Sequence, residues 1–116
     1  MNQITVVGNL TSDPELRYTG SGKAVVHFTV ASDRSRAKDS ATDFIPCEGW
    51  EQLAETVNLD LKKGDFIRVT GSLRLQSYEA KDGTTRSGSK VVIRKVERVS
   101  AWKRRRDFEP LAAPGN

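Results

Sequence analysis

Phe44, Trp50 and Tyr78 are large flat side chains that stand among charges rather than among other apolar residues. Phe44 and Trp50 share the stretch FIPCEGW, and Tyr78 lies in RLQSYEAKDGTTR beside the turn signal Asp82-Gly83. A β-strand sends alternate side chains to opposite faces. In FIPCEGW that places Ile45 and Cys47 on one side and Phe44, Glu48 and Trp50 on the other. From Phe66 onward Ile67, Val69, Gly71, Leu73 and Leu75 form a core face. Arg68, Thr70, Ser72, Arg74 and Gln76 form its opposite, and Tyr78 falls with them. Rings turned outward among cations suit a partner with flat faces and a negative backbone, as single-stranded nucleic acid has. Aromatic side chains stack on bases at roughly 1–3 kcal/mol each, whatever the base, while Lys and Arg follow the phosphates. Arg68, Arg74 and Arg86, with Arg34, Arg36 and Lys38 from the stretch after the second strand, would supply that charge.

Taken singly, each of these residues has a plainer reading. Phe44 and Trp50 could cap a small second core under a helix, Trp50 especially, because it abuts the helix start. Tyr78 could clamp its own hairpin, and arginines on a strand are ordinarily a solvated face. The platform reading rests on their coincidence on one face.

Catalytic chemistry has little to work with. One histidine (His27) and one cysteine (Cys47) allow neither an intrachain disulfide nor a thiolate metal cluster. Asp33, Asp39 and Asp43 share one loop, but nothing pairs them with a nucleophile or a base. No enzyme, metal or cofactor is expected. Cys47 alternates inward as a packing residue, and His27 suits a surface or subunit contact.

At 116 residues, 36% hydrophobic and 29% charged, the chain fits one small domain. Its net charge of +4 permits a polyanionic partner without requiring one. No apolar run reaches membrane-spanning length and no signal pattern opens the chain, so a reduced, cytoplasmic protein is the expectation.

The elements that would position the rings are mostly strands. They run over Ile4–Asn9, Ala24–Ser32, Phe44–Trp50, Phe66–Leu75 and Lys90–Val99. Pro46 must then sit where no ladder donor is needed. Asp33 to Thr42 reads as a mobile loop. One helix is predicted over Glu51–Leu61, with Leu53, Val57 and Leu61 on one stripe beside Ala54, Lys62 and Lys63 at its end and Gly64 as its stop. The order β-β-β-α-β-β, with a long hairpin between the fourth and fifth strands, matches an all-β chain with one helix, the five-stranded Greek-key barrel of the OB type. That domain would fill residues 1–100. Residues 101–116, AWKRRRDFEPLAAPGN, read as a short basic, flexible tail.

The opening ITVVGNLTSDPELRYTGSGKAVVHFTVAS resembles the bacterial single-stranded DNA-binding proteins. The resemblance is carried by Val7-Gly8-Asn9-Leu10, Asp13-Pro14-Glu15-Leu16-Arg17-Tyr18, Gly22 and Ala24-Val25. It continues in WEQLAETVNLDLKKGDFIRVTGSLR and in SYEAKDG, and so runs from about Met1 to Val99. It implies an OB-fold subunit, usually of a homotetramer, that coats single-stranded DNA without sequence preference and without catalysis, on nucleoid DNA in the bacterial cytoplasm. Replication, recombination, repair and DNA uptake are the processes it could serve. The family's stacking positions fall on Phe44, Trp50 and Tyr78, and a fourth aromatic position falls at about Arg36, whose guanidinium plane can also stack. Its backbone-contacting bases map to Lys62, Lys63 and Arg74, whereas a further basic site falls on uncharged Gln76. The family's acidic tip has no counterpart in KRRRDFEPLAAPGN, so partner recruitment through such a tail is not expected. An accessory adaptor of a primosome-type complex, acting through protein contacts, is the alternative on the same fold, and RNA is an alternative ligand.

Overall fold

The computed structural model describes residues 1–34, 41–99 and 109–111. Its strands are β1 (Ile4–Leu10), β2 (Glu15–Tyr18), β3 (Ala24–Asp33), β4 (Thr42–Trp50), β5 (Phe66–Glu79), β6 (Thr85–Arg98) and β7 (Glu109–Pro110). One helix, α1 (Glu51–Asp60), separates β4 from β5. Neighbours run β1-β5-β6-β4-β3-β2, and a further β1–β3 pairing at Asn9↔Ala31 and Leu10↔Val30 closes the ring β1-β5-β6-β4-β3. This is the expected OB-type barrel, with β2 added outside β3 and β7 outside β6.

Alternating β-branched residues make the strands, because a branched side chain packs well on a half-buried pleated surface. Val26, Val30, Ile67, Val69 and Val91 are fully buried in the resulting core. Two glycines allow the ring to close. A Cβ on Gly8 would collide with the Ala31 carbonyl, where β1 crosses onto β3, and one on Gly71 would collide with the Val92 carbonyl. Both belong to motifs, VGNL and VTGSLR, in which any side chain would push two strand backbones apart.

At Gly71 the ladder also slips. Thr70 pairs with Lys95 but Gly71 pairs with Ile93, so Arg94 is the extra residue of a β-bulge. The slip resets the alternation in β6, which explains why Val91 and Ile93 point inward, Arg94 and Lys95 are both exposed, and Val96 points inward again.

The helix packs Ala54, Val57 and the following Leu61 onto the barrel, and the Arg98 guanidinium donates to the Asp60 carbonyl at its end. It stops at Asp60, before the lysines. Lys62 and Lys63 lie in the next turn, their backbone N–H groups bound by Asp65 and Asp13, and Gly64 donates to the Leu10 carbonyl rather than ending the helix. Leu75, expected on the core face, is 77% exposed, because β5 has by then run past the barrel into the hairpin. Pro46 lies opposite Thr29, one residue before β4 acquires its β6 neighbour, so one side of the strand there has no ladder to break. Most of the expected mobile loop, with Arg36, Lys38 and Asp39, falls outside the described residues. So does the expected tail over 101–108 and 112–116. Between those stretches Glu109–Pro110 pair with Glu97 and Arg98, and Leu111 packs against the core.

Candidate nucleic-acid interface

The register assembles one outward sheet face from four strands. Trp50, Glu48 and Phe44 alternate outward on β4. Across β3 they meet Val25, His27 and Ala31 in that order. On the other side β4 runs parallel to β6, joined at Cys47↔Val91 and Glu48↔Val92. The β6–β5 ladder then sets Lys90 opposite Arg74, Gly88 opposite Gln76 and Arg86 opposite Tyr78. Because β4 and β6 are parallel, the Phe44 end of β4 points toward the hairpin and the Trp50 end points away from it.

All three predicted rings are exposed, Phe44 at 66%, Tyr78 at 57% and Trp50 at 38%. Six strand residues separate Phe44 from Trp50, which is about 20 Å at the rise of a β-strand. The hairpin carrying Tyr78 folds at a type I turn, closed by the Gly83 N–H donating to Ala80, with the Asp82 carboxylate accepting from the Thr84 hydroxyl and N–H. Those two hydrogen bonds hold the Asp82 carboxyl below its ordinary range. An open furrow lined by Tyr78, Lys81 and Arg86 runs along this arm.

Trp50 stands at an abrupt junction. It is extended (φ −122°, ψ 148°) and the next residue, Glu51, already begins the helix with φ +56°. A residue with a Cβ costs roughly 1–2 kcal/mol in that left-handed region. The strain turns the chain by nearly one residue from strand to helix and leaves the indole at the corner.

The predicted cations divide. Arg74 is exposed, and no carboxylate among the described residues lies within ion-pair distance of it. Arg86 is exposed opposite Tyr78, with Asp82 a distant 3.8 Å away. Arg34 stands at the root of the β3–β4 loop, donating to Asp43 at 2.9 Å beside Phe44. Such exposed pairs are worth at most about 1 kcal/mol and yield readily to a stronger anion. Arg68 is placed elsewhere. It is bidentate to Glu97 at 2.9 and 2.8 Å, opposite Val7 on the β1 side of the barrel, six residues along β5 from Arg74. Lys62 and Lys63 are exposed but sit past the far end of α1, about 17 Å of helix from Trp50. Arg36 lies outside the described residues.

Two residues of this face escaped the expectation from sequence, Glu48 and Lys90. Glu48 is only 7% exposed despite its outward register. Its Oε1 accepts from His27 Nε2 at 2.9 Å and Lys90 Nζ at 3.0 Å, and its Oε2 accepts from Trp50 Nε1 at 2.9 Å. Burial pushes the carboxyl up, but the hydrogen bonds of His27, Trp50 and Lys90, with the Lys90 charge, outweigh it and hold the group below its ordinary range. Glu48 is therefore ionised at neutral pH. The available signal was its alternation with Cys47, which set it between the two rings.

Beneath the face Cys47 is 1% exposed, and burial pushes its thiol up to about 12. Among the described residues no cluster of three or more His, Cys, Asp or Glu side chains could hold a metal ion.

Fold and face together define a Greek-key barrel domain that presents separated rings and cations on one sheet surface. The chain belongs to the single-strand binding protein family, whose model matches residues 1–99. It is 42% identical over 102 residues to the single-stranded DNA-binding protein of Clostridium perfringens, a match covering 87% of this chain and 67% of that one. With the single-stranded DNA-binding protein of Mycobacterium leprae it shares 44% identity over 100 residues, 80% of this chain and 60% of that one. With that of Paenarthrobacter aurescens it shares 48% over 91 residues, 72% and 53% respectively. The chain thus spans roughly half to two thirds of the length of these relatives.

Proposed function

We propose that the protein binds single-stranded DNA without sequence preference, stacking bases on Phe44, Trp50 and Tyr78 while Arg74, Arg86 and Arg34 pair with phosphates. The observation that carries this reading is the set of three rings, all exposed, on one continuous sheet face of a member of the single-strand binding family. Exposed rings spaced along a strand fit a ligand whose bases are already unstacked, and a duplex offers no such faces. Arg36 would join them from the β3–β4 loop. Lys62 and Lys63 form a second basic patch past the helix, suited to a strand that continues around the barrel. Arg68, committed to Glu97, serves the barrel wall. A homotetramer working in the bacterial cytoplasm, on DNA exposed during replication, recombination, repair or uptake, is the setting that family membership supports. No helix among the described residues is long and apolar enough to cross a membrane.

The test is fluorescence anisotropy with a labelled oligo-dT and a labelled duplex. Saturable binding of the single strand, weakening with salt, is expected, with the duplex bound far less well. The double variant Phe44→Ala, Tyr78→Ala should keep its circular dichroism and lose roughly thirty-fold or more in affinity, the loss of two stacking contacts. Wild-type affinity in that folded variant would remove the platform.

A further inference from the structure

Glu48 puts a negative charge in the middle of a surface that is to receive a polyanion. It lies on β4 between Phe44 and Trp50, turned to the same side as both. A phosphate 4 Å from that carboxylate would be repelled by about 1 kcal/mol in open water, and by more where bases displace the water. Nor is the carboxylate a by-product of packing. It takes three donors from three strands, His27 on β3, Trp50 on β4 and Lys90 on β6, and both of its oxygens are used.

Each contact has a consequence for the face. The bond from Trp50 Nε1 fixes which edge of the indole turns inward and so sets the plane it offers to a base. This happens at the corner where the backbone is strained into the helix at Glu51. The bond from Lys90 draws in the cation that the ladder places opposite Arg74, leaving its side chain 28% exposed. His27 is half exposed and adds a third donor from the β3 side, where the Glu15 position of β2 faces it across the ladder. The charges left open toward solvent are then at the rim, on Arg74, Arg86 and Arg34.

We propose that Glu48 is a positioning residue of the binding face: it orients the Trp50 ring and holds Lys90 away from phosphate, so that the centre of the face takes bases and the rim takes the backbone. The proposal rests on the stacking reading above. It makes Glu48 a restraint on affinity as well as a support for it, and the two effects separate by substitution. Glu48→Gln keeps an acceptor for the indole N–H but has no charge to hold the lysine. Glu48→Ala removes both.

The experiment uses the full chain with Trp102→Phe, which leaves Trp50 as the only tryptophan. In the free protein, Glu48→Gln should keep the parent's Trp50 emission maximum and acrylamide quenching, whereas Glu48→Ala should shift the emission and raise the quenching. Against oligo-dT, Glu48→Gln should bind several-fold more tightly at low salt. Its plot of log affinity against log salt should be steeper by about 0.7, one more phosphate neutralised on a single strand. Adding Lys90→Met to Glu48→Gln should abolish that gain. Parent-like affinity and slope in Glu48→Gln would overturn the restraint, and parent-like emission and quenching in Glu48→Ala would overturn the orientation. If Glu48→Ala fails to fold, the Glu48→Gln and double-variant arms still decide. A parent that binds no oligo-dT would refute the stacking reading itself, and with it the restraint, whereas the free-protein emission still judges the orientation on its own.

Discussion

The ladder between β5 and β6 is one continuous set of pairs from Ile67↔Arg98 to Glu79↔Thr85, yet its halves differ completely in burial. The inner half buries Ile67, Val69, Val91 and Ile93 and carries the glycine contact and the bulge at Gly71. In the outer half every residue from Arg74 to Glu79 and from Thr85 to Ser89 is exposed, on both faces of the hairpin. Backbone hydrogen bonding is the same in both. What separates them is apolar area removed from water, which contributes roughly 25 cal/mol per Å², against a net gain of about 1 kcal/mol or less for a hydrogen bond exchanged with water. A two-stranded hairpin is marginal alone. The inner half therefore holds the outer one in place, and the outer half keeps both faces, Tyr78 and Arg86 included, open to a partner.

That division is sharpest in single substitutions. Gly71→Ala should have the largest effect. Its methyl group meets the Val92 carbonyl, and relieving the overlap should cost about 3 kcal/mol, lowering the melting temperature by roughly 10–20 °C in a thermal circular-dichroism scan. A melt within a few degrees of wild type would show that the bulge can open without loss, and the inner half would no longer count as rigid. Tyr78→Ala should do the reverse. Its melting temperature should stay close to wild type, as for other exposed sites. Affinity for oligo-dT should fall about 5- to 150-fold, the stacking energy of one ring. A large drop in stability would mean that the tyrosine braces its own hairpin.

The smallest expected effect is again interior. Folding raises the Cys47 thiol from 9.0 to about 12. Between those values the unfolded chain gives up a proton that the folded chain keeps, so unfolding is favoured as pH rises. The contribution is complete below pH 9 and is lost progressively above it. Urea midpoints compared at pH 8 and pH 10.5 should fall for the wild type and fall less for Cys47→Ala. An equal fall in both would place the alkaline sensitivity elsewhere.

Much of this was legible in the residues. Period-two alternation placed Ile67, Val69 and Cys47 inside and Phe44, Trp50 and Tyr78 outside, because a strand has only two sides and one must be dry. It failed at Leu75, since alternation reports a side and not whether anything covers that side. It also failed to show that β6 changes phase at Arg94, because a bulge depends on the partner strand and leaves no mark in KVVIRKVERV. The helix was visible in its apolar stripe, but its end was not. Lys62, Lys63 and Gly64 looked like a helix terminus, while Asp65, Asp13 and Leu10 drew them into a turn.

Charge was the least legible property. A run of outward arginines looks uniform, yet Arg74 is open to solvent and Arg68 is bound to Glu97, 29 positions along the chain. Glu48 looked like a solvated acid and proved to be covered by His27, Trp50 and Lys90. The sequence by itself determined the strands, the helix stripe, the glycines where backbones must touch and the side on which each ring stands, since these follow from local geometry and the period of the chain. Only the tertiary structure decided which cations face a ligand and which acids hold them back. Coulomb energy depends on distances between strands that the chain brings together from far apart, and no local pattern encodes those distances.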